Sequence, residues 1–193
     1  MLAKFMFTVS GAVLLLLGVG CTRIVSVAEA LQQPKGGRIF TAHNIWYQDP
    51  ENISAVNYQK GGRFISQGTE VEMIEATEKK IVFKDMAGIK FTINYDKSMM
   101  MIPIQNYIRQ TFTLKSKAEQ LDGLSAQVIQ NIERGIVIEG MTRDEVRLTC
   151  GPPPTFRTPD PNNATWIYFL DVNETYRVIF GDKRVKVIMN IND

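Results

Sequence analysis

A short helix fixed at both ends constrains this chain most. Thr142 is a good N-cap, and Glu145 stands three residues on, the spacing at which two orphan amide donors are satisfied reciprocally. Gly151 suits the left-handed position that ends a helix, and Pro152 forbids continuation, so the helix covers about two turns. Met141 and Val146 lie near its two ends at the spacing of a hydrophobic staple. Three alternating segments follow: Thr165 to Leu170, Thr175 to Phe180 and Arg184 to Met189. Gly181-Asp182-Lys183 makes the last turn. Tyr176, Val178 and Phe180 alternate along the second strand, as do Val185, Val187 and Met189 along the third. Upstream, Lys115 to Gln120 is helix-compatible and Asp122-Gly123 interrupts. Leu121, Leu124, Val128, Ile129 and Ile132 recur at helical spacing, and Gly135 caps the end. Residues 115–193 therefore read as helix, helix and a three-stranded antiparallel sheet.

Residues 38–114 read as a β-rich domain. Arg38 to Ala42 makes a first short strand, and Val56-Asn57-Tyr58 precedes the turn Lys60-Gly61-Gly62. Arg63 to Ile65, Glu70 to Ala76 and Lys80 to Lys84 come next. Asp85 to Gly88 turns the chain into Ile89, Phe91, Ile93 and Tyr95, which alternate cleanly with Lys90, Thr92 and Asn94. Short strands at this spacing point to a small barrel or sandwich. Gly68-Thr69-Glu70-Val71 after a glycine-rich turn resembles bacterial SH3-type barrels. The fold class expected for the whole is α+β.

The first twenty residues differ from everything after them. Lys4 makes a short basic start, and Phe5 to Val19 hold no charge. About fifteen apolar residues suit a secretory signal rather than a bilayer-spanning helix, which needs about twenty. Gly18-Val19-Gly20-Cys21 follows and resembles the lipobox of bacterial lipoproteins. That resemblance implies a signal peptide over 1–20, cleavage before Cys21 and lipid on its thiol. Thr22, rather than aspartate, follows the cysteine, which by the same resemblance implies the outer membrane, with the body facing the periplasm. Residues 21–37, ending in Gln32-Gln33-Pro34-Lys35-Gly36-Gly37, read as the lipidated cysteine and a short tether.

Gly140-Met141-Thr142 with Val146, then Gly151 and Pro153, then Trp166 and Tyr168, and finally Phe180, Val185 and Ile188, resemble the SmpA/OmlA family of outer-membrane lipoproteins. The resemblance covers about residues 120–191. Cys150 stands where that family usually has leucine. The resemblance implies the same α+β module and work in envelope assembly. Its candidate partner-binding residues are Trp166, Tyr168, Arg143 and Arg147, although aromatic residues at such spacing are more often core than surface.

Little in the chain reads as catalytic. The formal charge is +2, and removing Lys4 with the leader leaves +1, without the basic excess of a nucleic-acid binder. His43 is the only histidine, so histidine metal clusters are excluded and a Ser-His-Asp arrangement would rest on it alone. No phosphate loop, paired-cysteine zinc site or dinucleotide glycine fingerprint is present. Met99-Met100-Met101 fits packing or a loop better than soft-metal binding. Cys150, without a partner once Cys21 is lipidated, reads as a buried small hydrophobe. No cofactor and no metal are expected. The function expected is a non-enzymatic, membrane-anchored scaffold or assembly factor with an envelope protein as partner. The alternative is a periplasmic lipoprotein binding peptidoglycan, lipid or a small molecule in the β-rich domain, which requires an enclosed apolar pocket there.

Overall fold

The computed structural model describes residues 23–192, so the leader and Cys21 lie outside the described residues. These residues form a mixed α+β fold with two principal sheets. The chain opens with α1 (Val27–Leu31), capped by the Ser26 hydroxyl. Strands β1 (Ile39–Thr41), β2 (Ile45–Tyr47), β3 (Ile53–Ser54), β4 (Arg63–Ile65), β5 (Glu70–Ala76), β6 (Lys80–Asp85) and β7 (Lys90–Asn94) follow. Helices α2 (Lys97–Met100) and α3 (Ile104–Thr111) come next, then β8 (Phe112–Thr113). The remainder is α4 (Lys117–Leu121), α5 (Ala126–Arg134), α6 (Arg143–Cys150), β9 (Thr165–Phe169), β10 (Glu174–Phe180) and β11 (Val185–Asn192).

The first sheet runs β3-β7-β6-β5-β1-β8, with β3 parallel to β7, while β2 and β4 pair separately. It curls. Phe83 on β6 and Phe112 on β8 have two strands between them, and a flat sheet would put them about 14 Å apart. Their ring centroids are 5.3 Å apart. Ile81, Phe83, Ile93, Ile108 and Phe112, each at most 1% exposed, fill the space inside. The interior is thus packed side chains. Helix α3 supplies Ile104, Tyr107, Ile108 and Thr111 to it at helical spacing. Nothing in the strand-like reading of residues 38–114 anticipates this helix, which starts behind Pro103 at its N-cap.

The expected tether needs correction. Val25, Val27 and Ala30 are buried in the first core, so from Val25 to Leu31 the expected tether is docked, Val25 on the end of β5 and α1 against α3. Gln32 to Gly37 then turns the chain into β1, with the Gly37 amide donating to the Pro34 carbonyl at 2.9 Å. In β5, Ile74 has no partner across the ladder, because Met73 pairs with Phe83 and Glu75 with Val82. This bulge leaves Ile74 exposed.

The second sheet, β11-β10-β9, is antiparallel throughout, and α5 and α6 belong to the same core. The Thr142–Glu145 capping box is present as expected. A second box, Ser116 with Glu119, starts α4. Trp166, Tyr168, Tyr176, Val178 and Phe180 pack with Ile132, Met141, Val146 and Val185. The β10–β11 register shifts between Ile179 and Phe180, so Phe180 pairs with Val185 but Val178 pairs with Ile188. The expected alternation of Val185, Val187 and Met189 is therefore broken. Val185 and Ile188 pack inward, whereas Met189 is exposed.

Candidate functional site

The two cores meet along a hydrogen-bonded seam. The Asn44 side chain is buried; its Nδ2 donates to the Ile132 carbonyl at 2.7 Å, and its Oδ1 accepts from the Gln67 amide at 2.8 Å. Asn57 adopts φ +63°, a left-handed conformation that asparagine tolerates better than most residues. In that pose its Oδ1 accepts from the Trp46 amide at 2.8 Å, and its Nδ2 donates to the carbonyls of Asn44 and Cys150, at 3.1 and 2.9 Å. The backbone joins as well: the Gln59 and Lys60 amides donate to the Phe169 and Leu170 carbonyls. At the rim, Lys60 pairs with both Asp171 and Glu174, at 2.7 Å each.

Two glycines let the halves approach this closely. At Gly135 (φ +68°) a Cβ would overlap the Trp46 ring, and at Gly151 (φ +79°) it would lie 2.9 Å from the His43 ring. Both conformations also favour glycine intrinsically. The helix-ending residues of α5 and α6 therefore serve twice, as caps and as contact points for side chains of the first half.

His43 lies in this seam rather than in solvent. Its Nδ1 donates to the Asn44 carbonyl at 2.9 Å, and burial pushes its pKa down to about 4. The imidazole is neutral at ordinary pH. Cys150 is also buried. Tyr176 donates its hydroxyl proton to Gln59 Oε1 at 2.9 Å, so the Cys150 thiol, 3.3 Å away, is left to donate to the Tyr176 oxygen. Burial pushes this thiol up to about 11, the reverse of what activates a cysteine nucleophile. The hydroxyls of Tyr168 and Tyr176 are likewise shifted up by burial, and Tyr168 donates to the Gly151 carbonyl at 2.8 Å. Among the described residues no three His, Cys, Asp or Glu side chains converge as metal ligands. The seam's hydrogen bonds bind one half of the molecule to the other.

Of the expected partner-binding residues, the aromatic pair is placed otherwise. Trp166 and Tyr168 are 0% and 2% exposed, and a partner cannot reach them. The Trp166 indole donates to the Pro161 carbonyl at 3.1 Å. Their apolar area is used within the second core. Arg143 and Arg147 lie above them. The Arg143 guanidinium stands 4.3 Å from the Phe180 centroid, and that of Arg147 stands 5.1 Å from the Trp166 centroid. Arg143 Nη2 also donates to the Asn163 carbonyl at 3.2 Å, while Arg147 Nη1 pairs with Asp144 at 2.9 Å. The arginines roof the aromatic core and keep their charge at the surface.

Beside this roof a groove of about 510 Å³ runs along the seam. Ile102, Leu148, Pro152, Pro153 and Pro159 give it apolar walls, and Arg109 and Arg147 stand on it. The prolines follow the Gly151 turn that ends α6, so the capped helix read from the sequence also positions one wall. Ile102 and Arg109, from the end of the region read as β-rich, carried no sequence signal for this role; only the i, i+3, i+4 spacing of Ile104, Tyr107 and Ile108 could have revealed the helix that holds Arg109 and starts just after Ile102. Among the described residues no helix is long and apolar enough to cross a membrane.

Comparison with models of known protein families, with curated proteins and with solved structures finds no match.

Proposed function

We propose that the chain is a lipid-anchored envelope lipoprotein, acylated on Cys21, that works as a non-catalytic scaffold or assembly factor. Its C-terminal half would be an SmpA/OmlA-like module, and its curled sheet an SH3-like companion. One observation carries the reading. The large apolar residues among those that bear the resemblance, scattered from Met141 to Ile188, gather in one packed unit. Met141, Val146, Trp166, Tyr168, Phe180 and Val185 share a single core, and Ile188 packs against it. Motif members gathered in one core support reading them as parts of one folded module. The apolar groove at the seam is the surface offered to a protein partner, with Arg147 as the charged contact within reach. The competing reading, a ligand enclosed in the β-rich domain, draws no support from an interior filled by Phe83, Phe91 and Phe112.

The test begins with membranes fractionated from the native host. Mass spectrometry should find Cys21 as the first residue, carrying acyl chains, in the outer-membrane fraction. A photo-crosslinking residue in place of Leu148, on the groove, should give a discrete adduct in intact cells that is absent when it replaces Lys183 on the β10–β11 turn. An unprocessed chain free in the cytosol with a bare Cys21 overturns the proposal. So does equal, diffuse crosslinking from both positions.

A further inference from the structure

We infer that the protein stands on the bilayer rather than hanging from it, with the end of the first sheet that carries the Thr77–Lys80 turn and the Tyr95–Met101 segment seated among the headgroups. The inference rests on acylation of Cys21, proposed above.

The first observation is the absence of slack. Only Thr22 separates Cys21 from Arg23. An extended chain gains about 3.5 Å per residue, so the two Cα atoms lie within about 7 Å of each other. Arg23 is already held by the folded body, its carbonyl accepting from the Glu78 amide at 3.2 Å. Ile24 forms a bridge with Thr77, and the Val25 amide donates to the Ala76 carbonyl at 2.9 Å. Lipid attached to Cys21 therefore enters the membrane beside this turn, and the segment that would have let the body drift away is docked.

The second observation is what surrounds that point. The C-terminal ends of β5 and β7 and the N-terminal end of β6 meet there. The Tyr95 amide donates to the Lys79 carbonyl at 2.7 Å, which brings α2 to the same end. Ile24, Met99 and Met101, on the two segments that meet at this end, are 79%, 44% and 66% exposed. Arg23, Lys79 and Lys97 are exposed among them. Of the acidic neighbours, Glu78 and Asp96 are both exposed, and the Asp96 carboxylate also accepts from Ser98 in capping α2, so the basic groups outnumber them by one. Apolar side chains interspersed with basic ones form a surface suited to the boundary between acyl chains and anionic headgroups.

The opposite end of the sheet supplies a built-in control. Met86, in the β6–β7 turn, is also exposed, at 69%. The length of β6 holds it about 17 Å from the anchor end. If exposure alone decided the contact, Met86 would serve as well as Met99. If the anchor decides it, Met86 points away from the lipid.

The full lipidated chain, extracted from membranes, is tested in vesicles of phosphatidylethanolamine and phosphatidylglycerol. An environment-sensitive fluorophore is attached in turn to Ile24→Cys, Met99→Cys and Met86→Cys; Cys150 is buried and escapes labelling in the folded protein. Nitroxide-bearing headgroups should quench positions 24 and 99 several-fold more than position 86. The Met99 site lies outside the Ile24–Thr77 bridge, so it remains informative if the Ile24 variant loosens the docking. Equal quenching at 99 and 86 on a chain that floats with the vesicles overturns the inference and leaves the anchor standing. A chain that does not float, with residue 21 unmodified by mass spectrometry, overturns the anchor and the seating together.

Discussion

The two sheets are built on opposite principles. The second, β9 to β11, joins neighbours in sequence through short turns, and its helices arrive capped by their own residues. The first places β1 between β5 and β8, pairs β3 in parallel with β7, and closes its interior with a helix from a later segment. Local contacts require little loop closure before they form; distant ones require a great deal. The second half is thus the part that can organise early, and the first depends on contacts gathered from across the chain. The seam then asks whether two halves so differently made unfold as one body.

The largest expected effect tests that question directly. Trp166→Ala empties a fully buried site of the second core and should cost about 3–5 kcal/mol. Followed by circular dichroism in urea, the variant should still unfold in a single transition, shifted to lower denaturant, because the seam carries the loss to the first half. Two separated transitions would break the comparison into independent domains.

Next comes His43, buried between the halves. Its folded pKa of about 4 lies below the ordinary 6.5, so in that window the unfolded chain binds a proton that the folded chain excludes. The stability it contributes is fully present above pH 6.5, is lost as pH falls toward 4, and changes no further below that. The loss should total about 3 kcal/mol, and His43→Gln should remove that part of the pH dependence. An identical pH profile in the variant would mean the imidazole titrates in solvent.

Asn44→Ala should cost about 2 kcal/mol, the penalty for leaving the buried Gln67 amide unpaired and the Ile132 carbonyl with only its bond from the Gly135 amide. It should also begin to separate the transitions of the two halves. Lys60→Ala, at the exposed rim of the same seam, should leave the urea midpoint where it was, since exposed ion pairs contribute little. Together the two variants distinguish a seam held by buried amides from one held by charge.

Legibility divided by the reach of the contacts rather than by sheet. The Thr142–Glu145 box, the Gly151 stop and strand β5 are written in adjacent residues, and each falls where local chemistry places it. The bulge at Ile179–Phe180 is not written there, because it is set by how β10 meets β11, and it reverses the facing of Val187. Helix α3 carries its period in Ile104, Tyr107, Ile108 and Thr111, yet the reading of 38–114 as β-rich assigns that segment no element. Strands β2 and β3 hold three and two residues and exist only through distant partners. At the candidate site, Arg143 and Arg147 could be named from the helix, but the burial of Trp166 and Tyr168 beneath them needs the whole second core. Asn44 and Asn57 gave no signal, since an asparagine joining two halves looks like any turn residue until both halves are in place.

Cys150 turns the seam into something that can be timed. Its sulfur is protonated and walled in by Tyr176 from its own half and Gln59 from the other. An alkylating reagent reaches it only during moments when the halves part, so the rate of its modification counts those excursions one by one. In an oxidising compartment the same confinement withholds the atom from stray cross-links between molecules, and a copy that has failed to close is chemically marked as such.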